Sequence, residues 1–285
     1  MKDNYISSKK SRVIDSTYFK KQLVRNFRNC VGTLLLTATP AASLLAQTNP
    51  VPQQVPYTQN FDTLNGTASS LPIGWGGWKL DGNLTTSFSG TAIEDATFTV
   101  GTNNSSTAGL YDMVGKLGFF SANANRTTPV LAISTLDRQL ISINYDINVQ
   151  RVNSNRGFII KLQYRLGNTG EFHDLDDSAF EYIGAGTGTN VGTGVAAIQT
   201  QSISVDLPAQ LWFQPEVQLR WITARTVNNQ GTGENHSFSI DNVTVNGITD
   251  PCANGELPYR LDFTGETTTS IRIVIISNEW RSKSC

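Results

Sequence analysis

The chain has 285 residues, with 22 basic and 23 acidic side chains and three cysteines. Eight of the basic and two of the acidic residues precede Gln47, which leaves 14 basic and 21 acidic residues beyond it and a net charge of −7. A body this acidic argues against nucleic acid as a partner, because nonspecific affinity for phosphate backbones comes from neutralising them with Lys and Arg.

The first segment combines a long basic stretch with an apolar run from Val31 to Ala46 that is interrupted by Pro40. Spanning a bilayer takes about 20 apolar residues, so this run is too short and too broken to do so comfortably. A basic region, an apolar centre and small residues before Gln47 describe a signal peptide over 1–46. The expected mature chain is therefore secreted, with no transmembrane segment. Cys30 lies in this leader, and Cys252 and Cys285 lie near the end. No disulfide framework therefore holds the body together. A domain of roughly 190 residues can rely on its core, since it buries about 70% of its extended-chain surface.

Residues 47–55, with Pro50 and Pro52, read as a linker, and the main domain is expected over 56–247. Its clearest strand is Ile141 to Val149, where Ile141, Ile143, Tyr145, Ile147 and Val149 alternate with polar residues. Strict alternation of this kind gives one buried and one wet face. Phe158, Ile160, Leu162 and Tyr164 repeat the pattern, so the turn-forming residues 153–157 read as a hairpin-type connection. Further strands are expected around Ile203 and Val205 and from Val217 to Thr223. No segment of the mature chain carries an adequate helical stripe. Many short strands without intervening helices indicate an all-β, antiparallel β-sandwich of the jelly-roll type.

The closing strand, Phe238 to Val245, organises this picture. Its alternation slips at Asp241-Asn242, which places a β-bulge there that turns a carboxylate and an amide oxygen towards one point. It is expected to pair with the opening segment Tyr57 to Asp62, making the first and last strands adjacent. Beyond it, 248–256 reads as a second linker. Pro258-Tyr259-x-x-x-Phe263 repeats the spacing of Pro56-Tyr57-x-x-x-Phe61. Residues 257–285 are accordingly read as an incomplete second repeat or an irregular tail.

Several pieces, in order, carry a resemblance: Tyr57-x-x-x-Phe61-Asp62, Leu71-Pro72-Ile73-Gly74-Trp75, Leu117-Gly118 before Phe119, Leu162-Gln163-Tyr164, Leu219-Arg220-Trp221 and Ile240-Asp241-Asn242-Val243. They resemble the jelly-roll modules of secreted and surface proteins from Bacteroidota, which are MAM-like and similar to calcium-bearing carbohydrate-binding modules. The resemblance spans Pro56 to Gly247. It implies export by the type IX route, although the carboxy-terminal sorting domain of that route is not recognisable here.

The resemblance also implies a structural Ca²⁺ where the first and last strands meet, with Asp62 and Asp241 as ligands and Asn242 as helper. Such oxygen ligands suit that ion. The competing reading is that Asp241 and Asn242 satisfy loop amides at the bulge. Trp75 and Trp78 are the candidate sugar-stacking residues, with Trp212 as a third, against the alternative that they pack in the core, as Trp mostly does. Trp221 reads as core. His173 and His236 are the only histidines, which removes a three-histidine metal site and leaves little for a Ser-His-Asp group. Asp174, Asp176 and Asp177 read as a solvated acidic turn, and His236 as a loop residue. The Gly-rich run from Gly184 to Ala197 lacks the strand and helix of a dinucleotide fingerprint and reads as a mobile loop.

The expected function is a noncatalytic extracellular binding or adhesion module, with a polysaccharide or cell-surface glycan as partner. The alternatives are an accessory domain of a larger secreted hydrolase and a small glycan-active enzyme.

Overall fold

The computed structural model describes residues 47–153, 156–184, 189–193, 196–230 and 235–249. The signal-peptide reading of 1–46 and the second-repeat reading of 257–285 fall outside the described residues.

Sixteen strands form among the described residues, the long ones on the expected alternating segments. In chain order these are β1 (Gln53–Gln54), β2 (Tyr57–Gln59), β3 (Trp75–Leu80), β4 (Ala92–Asp95), β5 (Phe98–Val100), β6 (Gly109–Asp112), β7 (Leu117–Phe120) and β8 (Arg126–Ser134). They continue with β9 (Arg138–Asn153), β10 (Arg156–Leu166), β11 (His173–Asp174), β12 (Phe180–Ile183), β13 (Thr189–Val191), β14 (Gln199–Asp206), β15 (Val217–Gln230) and β16 (Ser237–Thr249). One sheet runs β11-β10-β15-β8-β3-β4, with β1 beside β8 and β12 beside β10. The other runs β13-β9-β16-β7-β6-β5, with β14 beside β9 and β2 beside β16. All pairings are antiparallel except β1 with β8 and β5 with β6. The chain is an all-β sandwich, as its patterning requires.

The opening and closing strands are neighbours: Tyr57, Thr58 and Gln59 pair antiparallel with Val245, Thr244 and Val243. β7 pairs with the same edge of β16 further back, from Ser237 to Ile240. Asp241 and Asn242 fall in the gap between these two partners. There the register against β9 shifts between Asp241 and Thr244, as a bulge does. Asn242 sits at φ 51°, in the left-handed region that Asn tolerates better than most residues.

Three features differ from the sequence reading. β9 and β10 do not form a hairpin, because they lie in different sheets: the chain ends one at Asn153 and starts the other at Arg156. Both strands have one apolar face, and those faces meet across the core instead of side by side. The segment 47–55 belongs to the domain, through β1 and through Thr48, whose N–H and hydroxyl donate to Asp95 at 2.8 Å each. The run from Gly184 to Ala197 contains β13, which pairs with β9.

The core lies between the sheets, with Leu131, Ile133, Ile160, Leu162, Leu219 and Trp221 from one side and Ile143, Tyr145, Ile147, Phe238, Ile240, Val243 and Val245 from the other. Each such side chain contributes about 1.5–3 kcal/mol on full burial. An aromatic chain crosses the layer: Phe61 meets Trp75 edge-on at 4.9 Å, Trp75 stacks on Trp221 at 5.3 Å, and Tyr145 meets Trp221 edge-on at 5.4 Å. Packing is closest at Gly77, where an added Cβ would lie 2.0 Å from Leu110 Cδ1 on the facing sheet.

Candidate functional site

The seam between β2 and β16 gathers the residues expected to hold an ion. Asp241 is half-buried, while Asp62 and Asn242 are exposed. The Asn242 N–H donates to Asp241 Oδ1 at 2.7 Å, and Asn242 Nδ2 donates to Asp146 Oδ2 at 2.9 Å. Asp62 accepts from Asn60 Nδ2 at 2.5 Å. Burial, followed by the nearby charges of Asp146 and Asp62, pushes the Asp241 carboxyl up to about 6 against the pull of the Asn242 amide and Lys116. Asp146, opposite Asp241 on β9, is the member of this group that the sequence reading missed. Its place on the wet face of a clearly alternating strand was the available signal. Among the described residues, no three His, Cys, Asp or Glu side chains are placed to hold a metal ion. As they stand, these carboxylates repel one another without converging on a point.

The other concentration of functional groups is on the outer face of the β10-β15-β8-β3 sheet. Where Leu162, Tyr164, Leu219 and Trp221 point into the core, the alternate residues Gln163, Arg165, Gln218 and Arg220 point out. Gln163 stands opposite Arg220, and Arg165 opposite Gln218. Hydrogen bonds follow this register: Arg220 Nε donates to Gln163 Oε1 at 2.7 Å, and Arg165 donates from Nε and Nη2 to Gln218 Oε1 at 2.9 and 2.6 Å. Gln163 Nε2 in turn donates to Phe88 O at 2.8 Å and to Asp174 Oδ1 at 2.5 Å. Asp174 also accepts from Lys161, whose ammonium lies over the Phe88 ring. The Phe172 ring takes Arg220 at 4.0 Å and Arg165 at 4.6 Å.

Loops 86–92 and 168–172 rise beside these groups and enclose an open cleft of about 630 Å³. Phe88, Phe172, Arg165, Arg220, Asn168 and Glu171 bring its chemistry. Arg165 and Arg220 are only 7% and 3% exposed. Burial lowers both guanidiniums from their ordinary range, Arg220 to about 9, where the neighbouring Arg126 and Arg165 add to the effect.

The two candidate tryptophans take opposite faces, since they are three residues apart on one strand. Trp75 points into the core, and its Nε1–H donates to the Tyr57 hydroxyl at 2.8 Å. Trp78 points outward but is 0% exposed: its Nε1–H donates to Thr48 O at 2.9 Å, and Arg165 and Phe172 cover its ring. Neither presents a free face, so the stacking role expected of Trp75 and Trp78 is corrected to packing. Trp212 is half-buried against the core, and Trp221 is core. His236 is a loop residue just before β16, as expected, and it is buried, with Phe158 at 4.5 Å.

No protein-family model and no curated protein matches the chain. Among solved structures, the K3 cleaved adhesin domain of Lys-gingipain from Porphyromonas gingivalis W83 is similar at 14% identity and a TM-score of 0.36, covering 67% of this chain and 98% of that one. The CBM22-1 xylan-binding domain of Xyn10C from Paenibacillus barcinonensis is similar at 10% identity and a TM-score of 0.34, covering 72% and 99%. At these scores the likeness carries no argument, and the strand pairings of the chain itself define its fold.

Proposed function

We propose that this chain is a noncatalytic extracellular binding module that takes glycans in the outer-face cleft. The observation that carries the reading is the cleft itself, where the aromatic groups Phe88 and Phe172 stand beside planar polar groups on a rigid sheet. Rings with an apolar face and a rim of hydroxyls call for this combination of flat contact and directed hydrogen bonds. Glu171 is the one carboxylate among the described residues lining the cleft. Hydrolysis of a glycosidic bond ordinarily uses two. The leader-like segment 1–46 supports the extracellular placement, and no helix among the described residues is long and apolar enough to cross a membrane.

A structural Ca²⁺ at the seam belongs to the same proposal. Its support is the repulsion among Asp62, Asp146 and Asp241, which a cation would relieve after the side chains turn towards it. Addition of Ca²⁺ should raise the melting midpoint relative to chelator, and an unchanged midpoint removes the ion.

A glycan array probed with the whole chain tests the main reading. Retention should fall about tenfold in Phe172→Ala, the equivalent of about 1.4 kcal/mol from one aromatic contact, read well below the variant's own melting midpoint. Retention of no glycan at all would overturn it.

A further inference from the structure

We propose that the cleft recognises an oxyanion carried by its glycan, a uronate carboxylate or a sulfate ester, through Arg165 and Arg220. This rests on the reading of the cleft as a glycan site.

Two almost buried guanidiniums line the cleft, and neither touches a carboxylate. Arg220 donates to Gln163 Oε1 and, from Nη1, to Gly90 O at 2.9 Å, which leaves Nη2 without an acceptor in the protein. Arg165 donates to Gln218 Oε1, and at 3.4 and 3.5 Å to Gly170 O and Asn49 Oδ1. Every one of these acceptors is neutral. The surrounding carboxylates are otherwise engaged or lie further out. Asp174 is held by Lys161 and Gln163. Glu216 accepts from Gln218 Nε2 at 2.7 Å. Asp81 and Glu171 are exposed.

Arg126 adds a third guanidinium behind the cleft wall. It is buried, its Nε and Nη2 have no partner, and its Nη1 lies 3.0 Å from the Cβ position of Gly90.

Asp174 and Asp81 act on Arg220, and Glu216 on Arg165, only from a distance. Holding charge out of water without a directly bonded counter-charge is costly, and the cost falls when a ligand brings one. The donors are also already aimed. Gln163 and Gln218 fix the two forks, and Phe172 lies against both guanidiniums, so an arriving oxyanion orders little. The donors left over, Arg220 Nη2 and the long-bonded Nη1 and Nη2 of Arg165, suit charge-assisted bonds to carboxylate and sulfate oxygens. The residues from Gln47 onward carry a net −7, so a polyanion gains nothing from the general field and anion preference must arise locally.

The test is affinity electrophoresis of the whole chain through two matched pairs of polymers: polygalacturonate against its fully methyl-esterified form, and dextran sulfate against dextran. The charged member of at least one pair should bind about tenfold more tightly than its neutral partner, and the pair that does so identifies the oxyanion. Arg165→Met and Arg220→Met, each checked for an intact melting transition, should abolish that preference. The matched pairs read the wild-type protein, so the result stands even where a variant does not fold. Equal binding of both members within each pair would overturn the oxyanion and leave the glycan reading in place. Binding of none of the four polymers, nor of any glycan on the array, would remove both. A charge preference that persists in a folded arginine variant would place the anion outside this cleft and overturn the assignment.

Discussion

Replacing Asp241 by Asn should stabilise the protein at neutral pH in the presence of chelator. The folded state holds this carboxyl at about 6, against an ordinary 3.8, through burial and the charges of Asp146 and Asp62. The folded form therefore keeps its proton where the unfolded form has lost it. Wild-type stability should decline as pH rises from about 4 to about 6 and then level off. At 1.36 kcal/mol per pH unit, full conversion would give about 3 kcal/mol. The group is half-exposed, and solvent screening reduces this to about 1 kcal/mol. In a domain of this size that corresponds to about 2–4 °C in melting midpoint. Asparagine keeps an oxygen for the Asn242 amide and cannot ionise. Asp241→Asn should thus melt higher than wild type at pH 7.5 and together with it near pH 4. Thermal melts across that range in EDTA make the comparison. A variant that melts lower at pH 7.5, or keeps the wild-type decline between pH 4 and 6, would refute the electrostatic account.

Gly77→Ala should cost about 1–3 kcal/mol in urea unfolding, because its methyl collides with Leu110 across the sandwich. In the double variant with Leu110→Ala, the two costs should be less than additive. Gln218→Leu removes the oxygen that receives two donors from buried Arg165 and should cost about 2 kcal/mol by the same assay. In a Trp212→Phe background, a chain starting at Pro50 loses the Thr48 cover on Trp78 and should show increased quenching of indole fluorescence by acrylamide. An unchanged quenching constant would mean that the cover is dispensable.

Alternation along Ile141 to Val149 and the slip at Asp241-Asn242 were both legible, because a strand with one buried face writes its period into the sequence. The adjacency of β2 and β16 was legible too. What was not legible depends on contacts far apart in the chain. Nothing local says that β9 and β10 part into separate sheets, since an apolar face is satisfied equally by a neighbour beside it or across from it. The cover over Trp78 comes from Thr48, thirty residues upstream. The spacing of Trp75 and Trp78 did hold an unused signal, because residues three apart on a strand cannot share a face. Gln163, Arg165, Gln218 and Arg220 held another. They are the polar partners in two alternating strands, yet only the pairing register turns them into one group.

The short ladder between Tyr57–Gln59 and Val243–Val245 also determines how the domain answers a pull. Tyr57, at the start of one strand, lies opposite Val245, towards the end of the other. Tension applied through both flanks therefore enters at the same end of the ladder and opens its bonds one after another, like a zip, and does not load them all in shear. Once the contacts of Thr48 and β1 have given way on one flank, and the last β9–β16 pairs at Thr249 and Ile248 on the other, this edge is the next to peel.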